Sequence, residues 1–219
     1  MITTLSLQEL AVYLQLQFNS YFPDNKDLNN EVLLILPKVL QRLETCFKGI
    51  NKRYYRIGDE VYFNHLNSDH YCSFLYFLSN EAFNNQLIYL AEKSFYLNKV
   101  MNGIDVFYSV ILPKIFLFVH PLGTVLGNAE YSDHLVVYQN VTVGSDVGGV
   151  YPKIGEACVF YSKSTILGNS DIKNNVTFSA NSFDKNASIS SNQVVLGSYP
   201  STKIIPNKNS NKFIFFDDN

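Results

Sequence analysis

The sequence predicts an α+β protein: a mostly helical N-terminal region followed by a parallel β-helix of hexapeptide repeats. Three observations carry this. From Ile154 onward an apolar or aromatic residue returns every sixth position, as Ile154, Phe160, Ile166, Ile172 and Phe178. Four residues after each stands a small or β-branched side chain: Cys158, Ser164, Ser170, Val176 and Ser182. Before residue 103 the apolar spacing is instead that of helices. A period of six is neither a helix period nor strand alternation; it is the signature of a parallel β-helix. Three units make one triangular coil, so residues 18 apart stack. Sandwich strands recur at roughly 8–12 residues and do not hold a period of six.

Taken in order, Ser6-Leu7-Gln8-Glu9 is a capping box that opens a helix to about Tyr21, with Leu10, Leu14 and Phe18 on its apolar face. Pro23-Asp24-Asn25 is a turn. A second helix is expected over 28–47, with Leu33, Leu36, Leu40 and Leu43 in one stripe, a possible kink at Pro37 and a stop at Gly49. Arg56 to Val61 reads as a turn between two short strands. Further helices are expected over 68–83 and 86–101, the latter with Asn85 as N-cap and Gly103 as stop. The domains are therefore 1–103 (mostly helical), 104–200 (β-helix) and 201–219 (tail). The repeat register extends upstream through Val106, Leu112, Phe118, Tyr131, Val137 and Val143. Gly127, Asn128, Gly168, Asn169, Asn174 and Asn175 fall where corners are expected, and Gly and Asn tolerate the left-handed backbone of tight corners. Gly148-Gly149 lies in the longest break in the register, between Val143 and Ile154, and predicts a loop thrown out from one corner.

Composition narrows the function classes. The chain has 219 residues, is 47% hydrophobic and carries a formal net charge of −2. That leaves no basic footprint for nucleic acid. No apolar run reaches the length of a membrane span, and the N-terminus lacks a basic segment of the secretory kind. Cys46, Cys72 and Cys158 are odd in number, widely spaced and without metal-ligand spacing. They read as packed, reduced thiols of a cytoplasmic protein without a metal.

The stretch Phe118-Val119-His120-Pro121-Leu122-Gly123-Thr124-Val125-Leu126-Gly127 resembles the active-site segment of the serine acetyltransferase family. Further matches follow in order: Gln139-Asn140-Val141-Thr142-Val143-Gly144, Pro152-Lys153-Ile154-Gly155 and Ile166-Leu167-Gly168-Asn169. The likeness covers about 100–200 well and 65–100 faintly, through Tyr71-Cys72-Ser73-Phe74-Leu75-Tyr76. It implies a left-handed β-helix, a homotrimer or dimer of trimers, and acetyl-CoA as co-substrate. It also implies His120 as general base paired with Asp105, fifteen residues before it. A hydroxyl is a poor nucleophile near neutral pH, so an imidazole must take its proton as it attacks the thioester, and a carboxylate fixes the imidazole's tautomer. Gly144 or a neighbour would offer an N–H to the oxyanion. Ser162 and Ala180, 18 apart, would give the pantetheine arm room along one edge, with Lys203 or Lys185 near the nucleotide phosphates. His134 is the rival base if the alignment slips.

The departures concern the acceptor. Family members that use serine carry an Asp before the histidine and an Arg-His pair before the Pro-Lys-Ile segment. Here those positions hold Val119, Val150 and Tyr151. The two charges of an amino acid then lack partners, with Lys153 the one nearby substitute cation. A saccharide hydroxyl of a capsule or O-antigen precursor is therefore the expected acceptor, with Tyr151, His65 and Asp69 as contacts. Serine as acceptor and a non-catalytic trimeric scaffold are the alternatives.

Overall fold

The computed structural model describes residues 1–217. The helical region holds four helices: α1 (Leu7–Tyr21), α2 (Asn29–Lys48), α3 (Ser68–Asn84) and α4 (Ile88–Asn102). The capping box is formed at both ends: Ser6 receives the Glu9 N–H, and Glu9 receives the Ser6 N–H. The buried stripe of α2 is Val32, Ile35, Leu36, Val39 and Leu43; Leu33 and Leu40 sit half-buried at its border. α3 is buried along nearly its whole length from His70 to Asn80 and is the hub of this region. Asn85 caps the C-terminus of α3 rather than the N-terminus of α4, because its N–H turns back to Glu81 and Ala82. Gly103 ends α4 in the left-handed conformation, at φ 62°, where glycine carries no Cβ penalty. The turn at Gly58-Asp59 joins Arg56–Ile57 to Glu60–Phe63, and Ile2–Thr3 adds a parallel third strand that the sequence did not suggest.

From Phe116 the chain winds as a left-handed parallel β-helix with three faces. One face stacks Phe116–Val119, Leu135–Tyr138, Val159–Phe160, Thr177–Phe178 and Gln193–Leu196. The second stacks Val125–Leu126, Thr142–Gly144, Thr165–Leu167 and Phe183–Lys185, and the third Glu130–Tyr131, Lys153–Ile154, Asp171–Ile172 and Ser188–Ile189. Inside, Phe118, Val137, Phe160, Phe178 and Val195 form a continuous column. Its coils step by 19, 23, 18 and 17 residues, so the expected 18 holds for one coil. The 23-residue coil absorbs the predicted loop, where the Asp146 carboxylate receives the N–H groups of Gly148 and Val150. Cys158, Ser164, Ser170, Val176 and Ser182 all point inward and are buried.

The corners differ from expectation at several positions. His134, Ala157, Asn175 and Asn192 form one column of left-handed residues; Asn140, Lys163 and Asn181 form a second, and Gly168 and Asn186 a third. Gly127, Asn128, Asn169 and Asn174 are not in that conformation. The slipping coil length moves the turn by one residue, so the side chain found there need not be Gly or Asn.

Residues 104–115 hold no regular strand, although Asp105 makes an isolated bridge to Val125. The expected tail is structured. Lys203–Pro206 pairs antiparallel with Gln193–Leu196, and a short helix, α5 (Asn211–Phe215), lies across the coils. The Asn211 amide donates to the Ala157 carbonyl at 2.9 Å. Phe216 bridges to Ile50, and Asp217 meets Gly49 and Arg56. The C-terminal segment thus clamps the β-helix to the helical region. Cys46, Cys72 and Cys158 are buried free thiols; desolvation pushes Cys46 and Cys158 up to about 12, so they stay protonated. No helix among the described residues is long and apolar enough to cross a membrane.

Candidate active site

His120 follows the Phe116–Val119 strand and sits at φ 50°, with 79% of its side chain exposed. Rotating out of the strand in the left-handed conformation turns its ring off the coil. Continuing the register one residue past Val119–Tyr138 and two past Phe160–Phe178 places His120, Gln139, Ser162 and Ala180 along one edge. The Lys163 N–H to Gln139 and the Asn181 N–H to Ser162, both 3.0 Å, carry the ladder down that edge. Lys203 pairs with Leu196 on the adjoining coil. Gln139, quoted in the sequence only as part of a motif, has a buried side-chain oxygen without a partner.

A second group collects at the far end of the next face. Gly144, Leu167 and Lys185 stack in register. Tyr151, from the loop, lies against Gly127, where an added Cβ would meet the ring at 2.7 Å. Within one chain Tyr151, Gly144 and Lys185 therefore lie at the far end of the face that Val125–Leu126 begins, and His120 before its start. Lys153 pairs with Glu130 at 3.2 Å.

The structure joins Asp105 to Lys99, at 2.6 Å, and not to His120. The carboxylate that meets His120 is Asp69, in the first turn of α3. Its two oxygens receive the His120 backbone N–H at 3.2 and 3.3 Å, and one lies 3.6 Å from the ring Nδ1. Burial raises the Asp69 pKa, and the His120 N–H and charge oppose that rise. The sequence placed Asp69 at an acceptor; no periodicity links a helix start to a coil corner 51 residues away.

His65 is elsewhere, held by Thr4 Oγ1 at 2.6 Å and edge-on to Tyr13. His134 is a corner residue, its Nδ1 3.0 Å from Glu156 and its ring edge-on to Phe216. Among the described residues no group of three or more His, Cys, Asp or Glu stands ready for a metal ion.

His70, next to Asp69, is fully buried among Phe47 and Tyr55, and its Nε2 has no partner. Desolvation lowers its pKa to about 4. The unfolded chain takes up this proton near pH 6.5. Between about pH 6.5 and 4 the unfolded state therefore binds more protons, and stability falls as pH falls. The loss from this one group reaches about 3 kcal/mol at the lower end. His70→Phe is expected to flatten that part of the stability–pH curve in urea unfolding; an unchanged slope would show that the ring is not held neutral.

No family model matches the chain. It is 28% identical over 109 residues to a serine acetyltransferase of Staphylococcus epidermidis, covering 48% of this chain and 51% of that protein. The chain thus spans about half the length of that relative. Among solved structures, the Neisseria gonorrhoeae serine acetyltransferase in complex with serine has a TM-score of 0.71 at 20% identity, over 91% of this chain and 83% of that one. A serine acetyltransferase in complex with CoA has a TM-score of 0.66 at 16% identity, over 92% and 86%. The chain is similar to serine acetyltransferases in sequence over about half its length and in fold over about nine tenths of it.

Proposed function

We propose that this chain is an acetyl-CoA-dependent O-acetyltransferase of the serine acetyltransferase type, with His120 as general base. The observation that carries the reading is His120 itself, an exposed imidazole on a coil edge with a largely buried carboxylate beside it, in a chain of this likeness. In the reaction the acceptor oxygen attacks the thioester carbonyl carbon and His120 takes the hydroxyl proton. The carbon–sulfur bond then breaks, and the imidazolium returns the proton to the leaving thiolate. The edge running from Ser162 to Ala180 is the proposed bed for the pantetheine arm, with Lys203 for the phosphates.

A homotrimer is part of this reading. His120, Ser162, Ala180 and Lys203 gather on one edge, and Gly144, Tyr151 and Lys185 on the next. Two half-sites on neighbouring edges of a three-sided rod meet when a second copy packs alongside.

For the acceptor, the relatives favour serine, and none of them supports the saccharide expected from Val119, Val150 and Tyr151. The deciding experiment is an acceptor panel with acetyl-CoA and detection of free CoA thiol. Turnover with L-serine and none with oligosaccharides is the expected result. The reverse pattern would restore the saccharide, and no thiol release with any acceptor would leave only a scaffold.

A further inference from the structure

We infer that the groove where α2, α3 and the segment Leu112–Lys114 meet is a second ligand site, and that it takes a small phosphomonoester with a hydroxyl-bearing body, of the chemistry of a sugar phosphate. The groove stands apart from the edge that carries His120. α3 meets His120 through Asp69 in its first turn and lines the groove through Phe77, Glu81 and Asn84 in its last turns. The stretch of helix from Asp69 to Glu81 is about 18 Å long.

The groove encloses about 500 Å³, a volume that suits a small metabolite. Lys38, Arg42 and Lys114 line it, and Glu81 is the one acid among its described lining residues. Arg42 is held in place before any ligand arrives. Its guanidinium lies 5.0 Å from the centre of the Phe77 ring, and it donates to Glu81 and to the Asn80 side chain, each at 2.8 Å. Those bonds use two of the five N–H donors of a guanidinium. Glu81 is occupied in turn: one oxygen receives Arg42 and the other the Asn85 amide, at 3.1 Å. Lys38 is exposed and donates to the neutral Gln41 side chain at 3.1 Å. Lys114 is exposed and forms no ion pair among the described residues.

Charge sets the class of ligand. Glu81 balances one of the three cations, so the groove keeps an excess of two positive charges. A planar fork fixed on an aromatic ring suits a phosphate or carboxylate, which it meets with paired N–H groups. A phosphomonoester concentrates close to two negative charges on one centre near neutral pH, which matches the excess. The neutral side chains set the rest of the ligand. Gln41 keeps its NH2 and Asn84 its side-chain oxygen without a partner among the described residues, a donor and an acceptor that suit hydroxyl groups. Phe77 and Leu112 beneath them are almost wholly covered, so an apolar ligand body would gain little by entering. A ligand seated there would tie both helices to the segment that leads into the coil.

The test is isothermal titration of the full chain with α-D-glucosyl phosphate, inorganic phosphate, succinate and glucose, with CoA in excess to occupy the coil edge. Glucosyl phosphate is expected to bind about tenfold more tightly than inorganic phosphate or succinate, and glucose not to bind. Lys38→Glu and Lys114→Glu, both at exposed positions, are each expected to weaken glucosyl phosphate about tenfold or more with melting unchanged. Arg42→Lys keeps the charge, loses the fork and is expected to weaken it as well. Lys26→Glu, a reversal of the same size at an exposed position before α2, is expected to leave binding as it is. No heat from glucosyl phosphate, binding that all three groove variants leave unchanged, or an equal loss in Lys26→Glu would overturn the site. Succinate that binds as tightly as glucosyl phosphate would overturn the phosphomonoester as its ligand. The heat of binding does not depend on acetyl transfer, so the outcome stands whether or not the chain proves to be an acetyltransferase.

Discussion

His120→Asn is expected to reduce acetyl transfer by about 10²–10⁴-fold with the fold unchanged. Asparagine is the informative choice. Residue 120 sits at φ 50°, a conformation that Asn140, Asn175 and Asn181 already adopt at other corners. The substitution therefore removes the imidazole and keeps the backbone. His134→Asn is the matched control. It places Asn in the column that holds Asn175 and Asn192, and the expected kcat is that of the wild type. Both variants should show wild-type circular dichroism and melting within a few degrees. A loss in His134→Asn alone would move the base to His134 and undo the alignment on which the site is built, and equal losses in the two would withdraw His120 as the distinct base.

The second large effect concerns stability. Phe160 is fully buried, stands between Val137 and Phe178 in the central column and meets the Phe178 ring edge-on at 5.5 Å. Removing a ring of this kind costs about 3–5 kcal/mol, because the walls of the cavity relax only in part. In a β-helix the walls are the coils above and below, each already fixed by its own ladder, so collapse is limited and the upper end of that range is expected. For a chain of this size the melting temperature should fall by roughly 6–20 °C. Phe213→Ala is the control; that ring is 62% exposed, and the expected change is within about 0.5 kcal/mol. A Phe160→Ala protein that melts with the wild type would mean that the column is not close-packed.

The β-helix was legible because each inward residue touches chiefly its equivalents one coil away, so a local spacing rule leaves a visible trace in the sequence. The helices were legible from their ends: Ser6 with Glu9, Gly49 and Gly103 all stop or start helices where expected. What escaped depends on partners far along the chain. Residues after 200 carry no period, since Lys203–Pro206 and α5 take their shape from docking on Gln193–Leu196, Ala157 and Ile50. Corner identity escaped because coils of 19, 23, 18 and 17 residues shift the turn. The spacing of fifteen between Asp105 and His120 was visible and the structure forms no such pair; the approach of Asp69 was invisible, because it depends on how α3 docks against the coil.

The clamp at the C-terminal end bears on the order of assembly. It fastens Lys52 to the Ile214 carbonyl, 162 positions apart, and joins of that reach form late and slowly. A nascent chain will already have wound its coils and built its helices while the surface around Ile50 and Lys52 is still bare. That strip closes only when Phe215 and Phe216 arrive.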